Sequence, residues 1–154
     1  MALSMNQFAL EAIKGMIDLK VGPSNVISCE IDSSSAGGLV PGQAVKIVST
    51  AGGIPNVVEC SAASDDVFGF IAYDIKDISF AAGDKVEIAF SRSTAMYMEA
   101  SAAIAANASV MIVLSGNKVA TATATNRIVG RALDRAGASG ELIRVIIDLP
   151  GAIA

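Results

Sequence analysis

The chain has 154 residues, of which 53% are hydrophobic and only 17% charged, against about 25% charged in an ordinary soluble domain. Its net charge of -4 comes from 11 basic and 15 acidic residues, and no stretch gathers Lys and Arg into a stripe that could neutralise a row of phosphates, so a nucleic-acid partner is not expected. The chain contains no histidine, which removes the usual general base, the Ser-His-Asp relay, the Cys-His pair and most zinc sites together; neither an enzyme nor a cofactor is expected.

Residues 4 to 18 carry the one clear helical pattern. Phe8, Ala12, Ile13, Met16 and Ile17 recur at three- and four-residue steps, while Asn6, Glu11, Lys14 and Asp18 fall elsewhere. Ser4 and Gln7 stand at capping-box spacing, and Gly22-Pro23 ends the segment. A helix this short is marginal alone in water, so its apolar stripe must dock on something. We expect residues 1–24 to form a helical arm whose Phe8, Ile13, Met16 and Ile17 pack against a partner. The alternative is a helix that caps one open end of its own barrel.

From Asn25 onward the hydrophobic period becomes two, the mark of strands with one buried face. Alternation is cleanest over residues 84–90, with Val86, Ile88 and Phe90 on one side, and over 142–149, with Ile143, Val145, Ile147 and Leu149. Similar runs lie at 26–31, 44–48, 57–60, 68–73, 95–99, 110–114, 119–123 and 128–133, separated by turn residues such as Pro41-Gly42, Gly52-Gly53, Gly83-Asp84, Ser115-Gly116-Asn117 and Gly140. About ten short strands with turns this frequent imply an all-β fold, a small β-barrel or β-sandwich over residues 25–154.

The β region also echoes itself. A Gly or Asn three residues ahead of a strand-leading Val or Ile occurs at Gly42, Gly83, Asn107 and Gly140, and Val67-Phe68-Gly69-Phe70 answers Ile128-Val129-Gly130-Arg131. Two related halves, about 40–90 and 105–149, are expected.

Candidate chemistry is sparse. Ser115 and Lys118 match Ser-x-x-Lys, but that pair needs a helix to face amine to hydroxyl, and Ser115-Gly116-Asn117 reads as a hairpin turn. Asp65, Asp66, Asp74, Asp77 and Asp84 fit no calcium loop; Asp65-Asp66 before a strand is read as a solvated turn. Cys29 and Cys60 lie far apart without metal-site spacing and are read as two buried, reduced thiols. Met96 and Met98 are read as core fillers. Tyr97 is placed at the surface and is the fifth candidate partner contact. The Ala-rich stretch 100–114 is interrupted by Ser101, Asn107 and Ser109, so no membrane span or export signal is expected and the protein should stay in a cytoplasm.

Several runs taken together resemble the cement, or head-decoration, proteins of tailed bacteriophages. They are Ser28-Cys29-Glu30-Ile31-Asp32, the stretch from Leu39 to Ile47, Asp65-Asp66-Val67-Phe68-Gly69-Phe70, Ala82-Gly83-Asp84-Lys85-Val86, Val129-Gly130-Arg131-Ala132-Leu133 and the stretch from Leu142 to Pro150. The likeness covers most of the chain from about residue 25, at turn and core positions. It implies a β-barrel or β-tulip protein that binds the major capsid protein on the outside of an assembled phage shell, as a dimer or trimer and without a cofactor. An arm at the N-terminus is not a feature the resemblance carries. A ligand- or carbohydrate-binding β module is the competing expectation, although the chain has no Trp and only two Tyr for a sugar platform. An enzyme would require a carboxylate-only site.

Overall fold

The computed structural model describes residues 12–151 of the chain. Ten strands follow in order: β1 (Val26–Ile31), β2 (Ala44–Ser49), β3 (Asn56–Glu59), β4 (Gly69–Ile71), β5 (Lys85–Phe90), β6 (Ala95–Glu99), β7 (Ser109–Val113), β8 (Lys118–Thr121), β9 (Gly130–Ala132) and β10 (Leu142–Ile147). A 3-10 turn, Ala51–Gly53, breaks the pattern, and no α-helix occurs among the described residues. Each alternating run of the sequence forms one strand. In β5, Val86 and Ile88 are buried while Lys85 and Glu87 face water; in β10, Ile143, Val145 and Ile147 are buried. The fold is all-β, as the period-two pattern requires.

The strands form two five-stranded units with the same connectivity. In the first, order β1-β3-β2-β4-β5 closes into a barrel because β5 returns antiparallel to β1. In the second, β6-β10-β9-β7-β8 repeats each antiparallel pairing in turn, and β6 meets β8 at one parallel bridge, Ala100 with Val119. That bridge is the counterpart of the parallel pair Ile31 with Val57 in the first unit. The correspondence reaches single hydrogen bonds. The Asp32 amide donates to the Val57 carbonyl at 2.9 Å, as Ser101 does to Val119 at 2.9 Å, and the mutual bridge of Leu39 and Phe80 reappears between Ile104 and Ala136.

The sequence echoes mark the positions where the repeat is least free to change. Gly42 and Asn107 both enter their strands at positive φ, 82° and 66°, a region that Asn tolerates better than most side chains. Gly69 and Gly130 share a different constraint. A Cβ on Gly69 would run into the Ala89 carbonyl of β5, and one on Gly130 into the Ile146 carbonyl of β10.

Nine interior positions line each unit. In the first they are Cys29, Ile31, Leu39, Val45, Val57, Ile71, Phe80, Val86 and Ile88, which form one buried cluster. Pairing by register gives Met98, Ala100, Ile104, Val110, Val119, Ala132, Ala136, Ile143 and Val145 in the second. The second cluster does not stop at its own unit, because Ala44, Cys60, Val67, Phe70, Ala72 and Ala89 of the first pack into it. The second cluster is thus shared by both units while the first stays within its own barrel, and each fully buried aliphatic side chain contributes roughly 1.5–3 kcal/mol.

Two expectations need correction. The related halves begin earlier than residues 40 and 105: β1 belongs to the first unit, which spans 26–90, and β6 to the second, which spans 95–147. The helix expected over residues 4–18 does not extend through the described part of that stretch. Residues 13–16 form a turn and residue 17 bridges to Met96 as an added strand. Gly15 is the physical reason. It holds φ 83°, and a Cβ there would lie 2.7 Å from the Pro41 Cβ and 2.8 Å from the Gly42 nitrogen. Residues 4–11 of the expected helix lie outside the described residues.

Candidate functional site

The N-terminal segment is docked on the second unit by its backbone. The Gly15 amide donates to the Tyr97 carbonyl (2.8 Å), the Tyr97 amide to the Met16 carbonyl (2.9 Å) and the Asp18 amide to the Ala95 carbonyl (2.8 Å). On its other side, the Gly15 carbonyl accepts from the Tyr73 amide at 2.9 Å. Residues 15–18 therefore extend the edge of β6, satisfying groups that an edge strand otherwise leaves open.

Side chains fasten both ends of this segment. The Lys14 ammonium donates to the Gly116 carbonyl at 2.7 Å and lies 3.5 Å from Glu99, whose other oxygen takes Lys118 at 2.7 Å. The Lys118 hydrogen bond holds the Glu99 carboxyl below its ordinary range, while burial lowers Lys14 despite the carboxylate beside it. At the other end Arg144 grips Asp134 with two nitrogens, at 2.8 and 2.7 Å, and reaches Asp18 at 3.4 Å. The guanidinium holds the Asp134 carboxyl down, and the pair raises the Arg144 pKa above its ordinary value. Sequence reading assigned none of these six side chains to an ion pair. Lys14 is remote in the chain from Glu99 and Asp18 from Arg144, so no spacing connects the partners.

The structure disperses the candidate partner contacts. Phe8 lies outside the described residues. Ile13 is exposed, at 39%. Met16 and Ile17 lie in the added strand, which pairs with β6 at Tyr97 and Met96, and Ile17 packs against the protein's own core. For Ile17 the expectation of packing on a partner instead of completing that core does not hold.

Other candidates resolve into local structure. The Asp65 carboxylate accepts from the amides of Ser61 (2.7 Å) and Ala62 (3.1 Å) and from the Lys46 ammonium (2.9 Å), which brings its pKa down to about 2. Asp74 and Asp84 each accept one nearby amide, from Lys76 and Ala81. Among the described residues no cluster of three or more acidic or sulfur groups could hold a metal ion. Ser115 lies in the hairpin between β7 and β8, with Gly116 and Asn117 at positive φ, and Lys118 serves Glu99. Met96 and Met98 are core residues. Both cysteines are free and buried; burial pushes the Cys29 thiol up to about 11 and, with the Asp65 charge, the Cys60 thiol up to about 12. No helix among the described residues is long and apolar enough to cross a membrane.

What distinguishes the surface is an insertion. Ala72 and Leu133 occupy equivalent positions, as do Phe80 and Ala136, yet the first connection is five residues longer. The extra residues carry Ile75 and Ile78, exposed at 84% and 72%. A second feature is a depression of about 460 Å³ bounded by Lys46, Ile47, Asp66, Phe68, Phe90 and Leu149, with the Phe68 and Phe90 rings stacked at 5.7 Å.

Compared with models of known protein families and with curated proteins, the chain matches none.

Proposed function

We propose that the protein is a structural virion component that binds the outer surface of an assembled phage capsid and stabilises it. The observation that carries this reading is the insertion between β4 and β5, which puts two isoleucines into water on a loop held by a closed barrel. Binding surfaces concentrate on loops mounted on rigid scaffolds, and clustered exposed aliphatics mark protein contacts. The runs that resemble decoration proteins add support, since they fall on the repeat's paired strands and turns.

The mechanism is linkage: a protein that binds only the assembled shell stabilises it by mass action, and a copy at each junction ties neighbouring subunits together. Decorated shells are expected to disassemble at a higher temperature than stripped ones. Ile75→Asp combined with Ile78→Asp should keep the protein's own melting temperature and lose shell binding. Equal disassembly temperatures with and without the protein would overturn the proposal. Light scattering of the protein without shell should give a multiple of 15.6 kDa, as expected of a dimer or trimer.

The stacked rings of Phe68 and Phe90 beside the 460 Å³ depression favour a second reading, a ligand- or carbohydrate-binding module. A glycan array separates the two: binding that Phe68→Ala abolishes would select the second.

A further inference from the structure

We propose that the outward edge of β1, at Val26 and Ser28, is an acceptor site for an extended segment of a partner protein that sets a Lys or Arg against Glu87. The inference rests on the internal repeat and stands whether or not that partner is a shell subunit.

In the second unit the counterpart edge is filled. Ala95 and Tyr97 turn their backbone groups away from β10 and hold residues 15–18 through three hydrogen bonds. Register assigns Val26 and Ser28 to the same two positions, because Val26 pairs with Ala89 and Ser28 with Glu87 as Ala95 and Tyr97 pair with Ile146 and Arg144. The Ile31 amide points to Asp84 on the β5 side and the Glu30 amide to Pro55 on the other, so alternation sends Val26 and Ser28 the same way as Glu30. β3 covers that side only at Glu30 and Ile31. Among the described residues no backbone group meets Val26 or Ser28 there, and Ser28 is exposed. An open edge of this kind takes an added strand.

Side chains beside the edge indicate which strand. In the second unit the docked segment brings Asp18 to Arg144. In the first, Glu87 stands where Arg144 stands, beside a depression of about 360 Å³ lined also by Ser28, Tyr73, Asp74, Ile75 and Lys85. Asp74 and Glu87 outweigh Lys85, so the site is acidic where its filled counterpart is basic. The incoming residue at the place of Asp18 must therefore be cationic, with Ile75 offering an apolar wall to its neighbour. Residues 1–11 contain no Lys or Arg, so charge argues against that segment as the occupant, whether from the same chain or from a second copy.

The test uses the full chain and two peptides spanning residues 12–22, one native and one carrying Asp18→Lys. The Asp18→Lys peptide should bind about three- to fivefold more tightly, the worth of one exposed ion pair, and should slow hydrogen exchange at the Val26 and Ser28 amides. Glu87→Arg should reverse the preference between the peptides. Ser28→Pro, which removes only an unbonded amide on an edge strand, should abolish binding of both at this site. No protection of Val26 and Ser28 at millimolar peptide, or an order of affinity that Glu87→Arg leaves unchanged, would overturn the proposal. So would protection of those amides that rises with protein concentration alone, since the occupant would then be a second copy.

Discussion

The two units of this chain solve one packing problem with different side chains. Barrel interior positions filled in the first by Ile31, Ile71 and Phe80 are Ala100, Ala132 and Ala136 in the second, where Met98 replaces Cys29. The first unit closes on itself and keeps a separate core. The second closes through one bridge and draws on six residues of its neighbour. A repeated backbone therefore does not require a repeated core: total volume must fit, and where one unit is thinly filled another element packs in.

The sharpest way to break this comparison is to exchange the fillings. Phe80→Ala should cost about 3–5 kcal/mol, because the closed first barrel has no neighbour to collapse inward, and Ala136→Phe should cost about 1–3 kcal/mol by overpacking. With no Trp in the chain, circular dichroism during chemical denaturation is the suitable measurement. A cost for Phe80→Ala below that of Ala136→Phe would mean that the first barrel is the more plastic of the two.

Deleting residues 1–18 tests the asymmetry of the edges. It strips β6 of its added strand, along with the Lys14 and Asp18 ion pairs and the Ile17 contact, and should lower stability by about 2 kcal/mol, two hydrogen bonds' worth after the entropy of ordering is set against it. An unchanged melting temperature would show the segment to be a passenger.

A smaller effect separates the units by pH. Asp65 anchors the turn before β4, and Asn126 occupies the equivalent position before β9. The Asp65 carboxyl titrates at about 2 in the fold, against an ordinary value of 3.8, so its contribution is complete above pH ~4 and disappears as pH falls toward 2. Acid should cost about 1 kcal/mol through this group, allowing for solvent screening, and Asp65→Asn should flatten that part of the curve. Amide exchange at low pH should speed up at residues 61–66 and leave 123–127 as before.

The alternating patterns made all ten strands legible, and the paired turn motifs revealed the repeat, because both depend on neighbours in sequence. The first strand of each unit escaped the repeat. Val26–Ile31 and its counterpart at 95–100 share a pairing role but only a single residue type in register, Glu30 with Glu99. The parallel closure of β1 on β3 was equally hidden, since nothing local encodes which strand lies beside which. Over residues 12–18 the helical reading of the N-terminal stretch does not hold, for a reason the sequence did contain. Gly15 interrupts the apolar stripe, and a glycine inside a helical pattern signals a break when another chain segment crowds it. Of the candidate contacts, Tyr97 and Ile17 were found as neighbours only through the fold.

The two buried thiols make the molecule its own clock. Cys29 lies inside the first barrel and Cys60 in the cluster common to both units, and each has a pKa far above neutrality, so neither reacts with an alkylating reagent until its surroundings part. Cys60 trapped ahead of Cys29 would mean that the units separate while the first barrel remains shut. Labelling of both at one rate would mean that the duplicated chain opens as a single cooperative body.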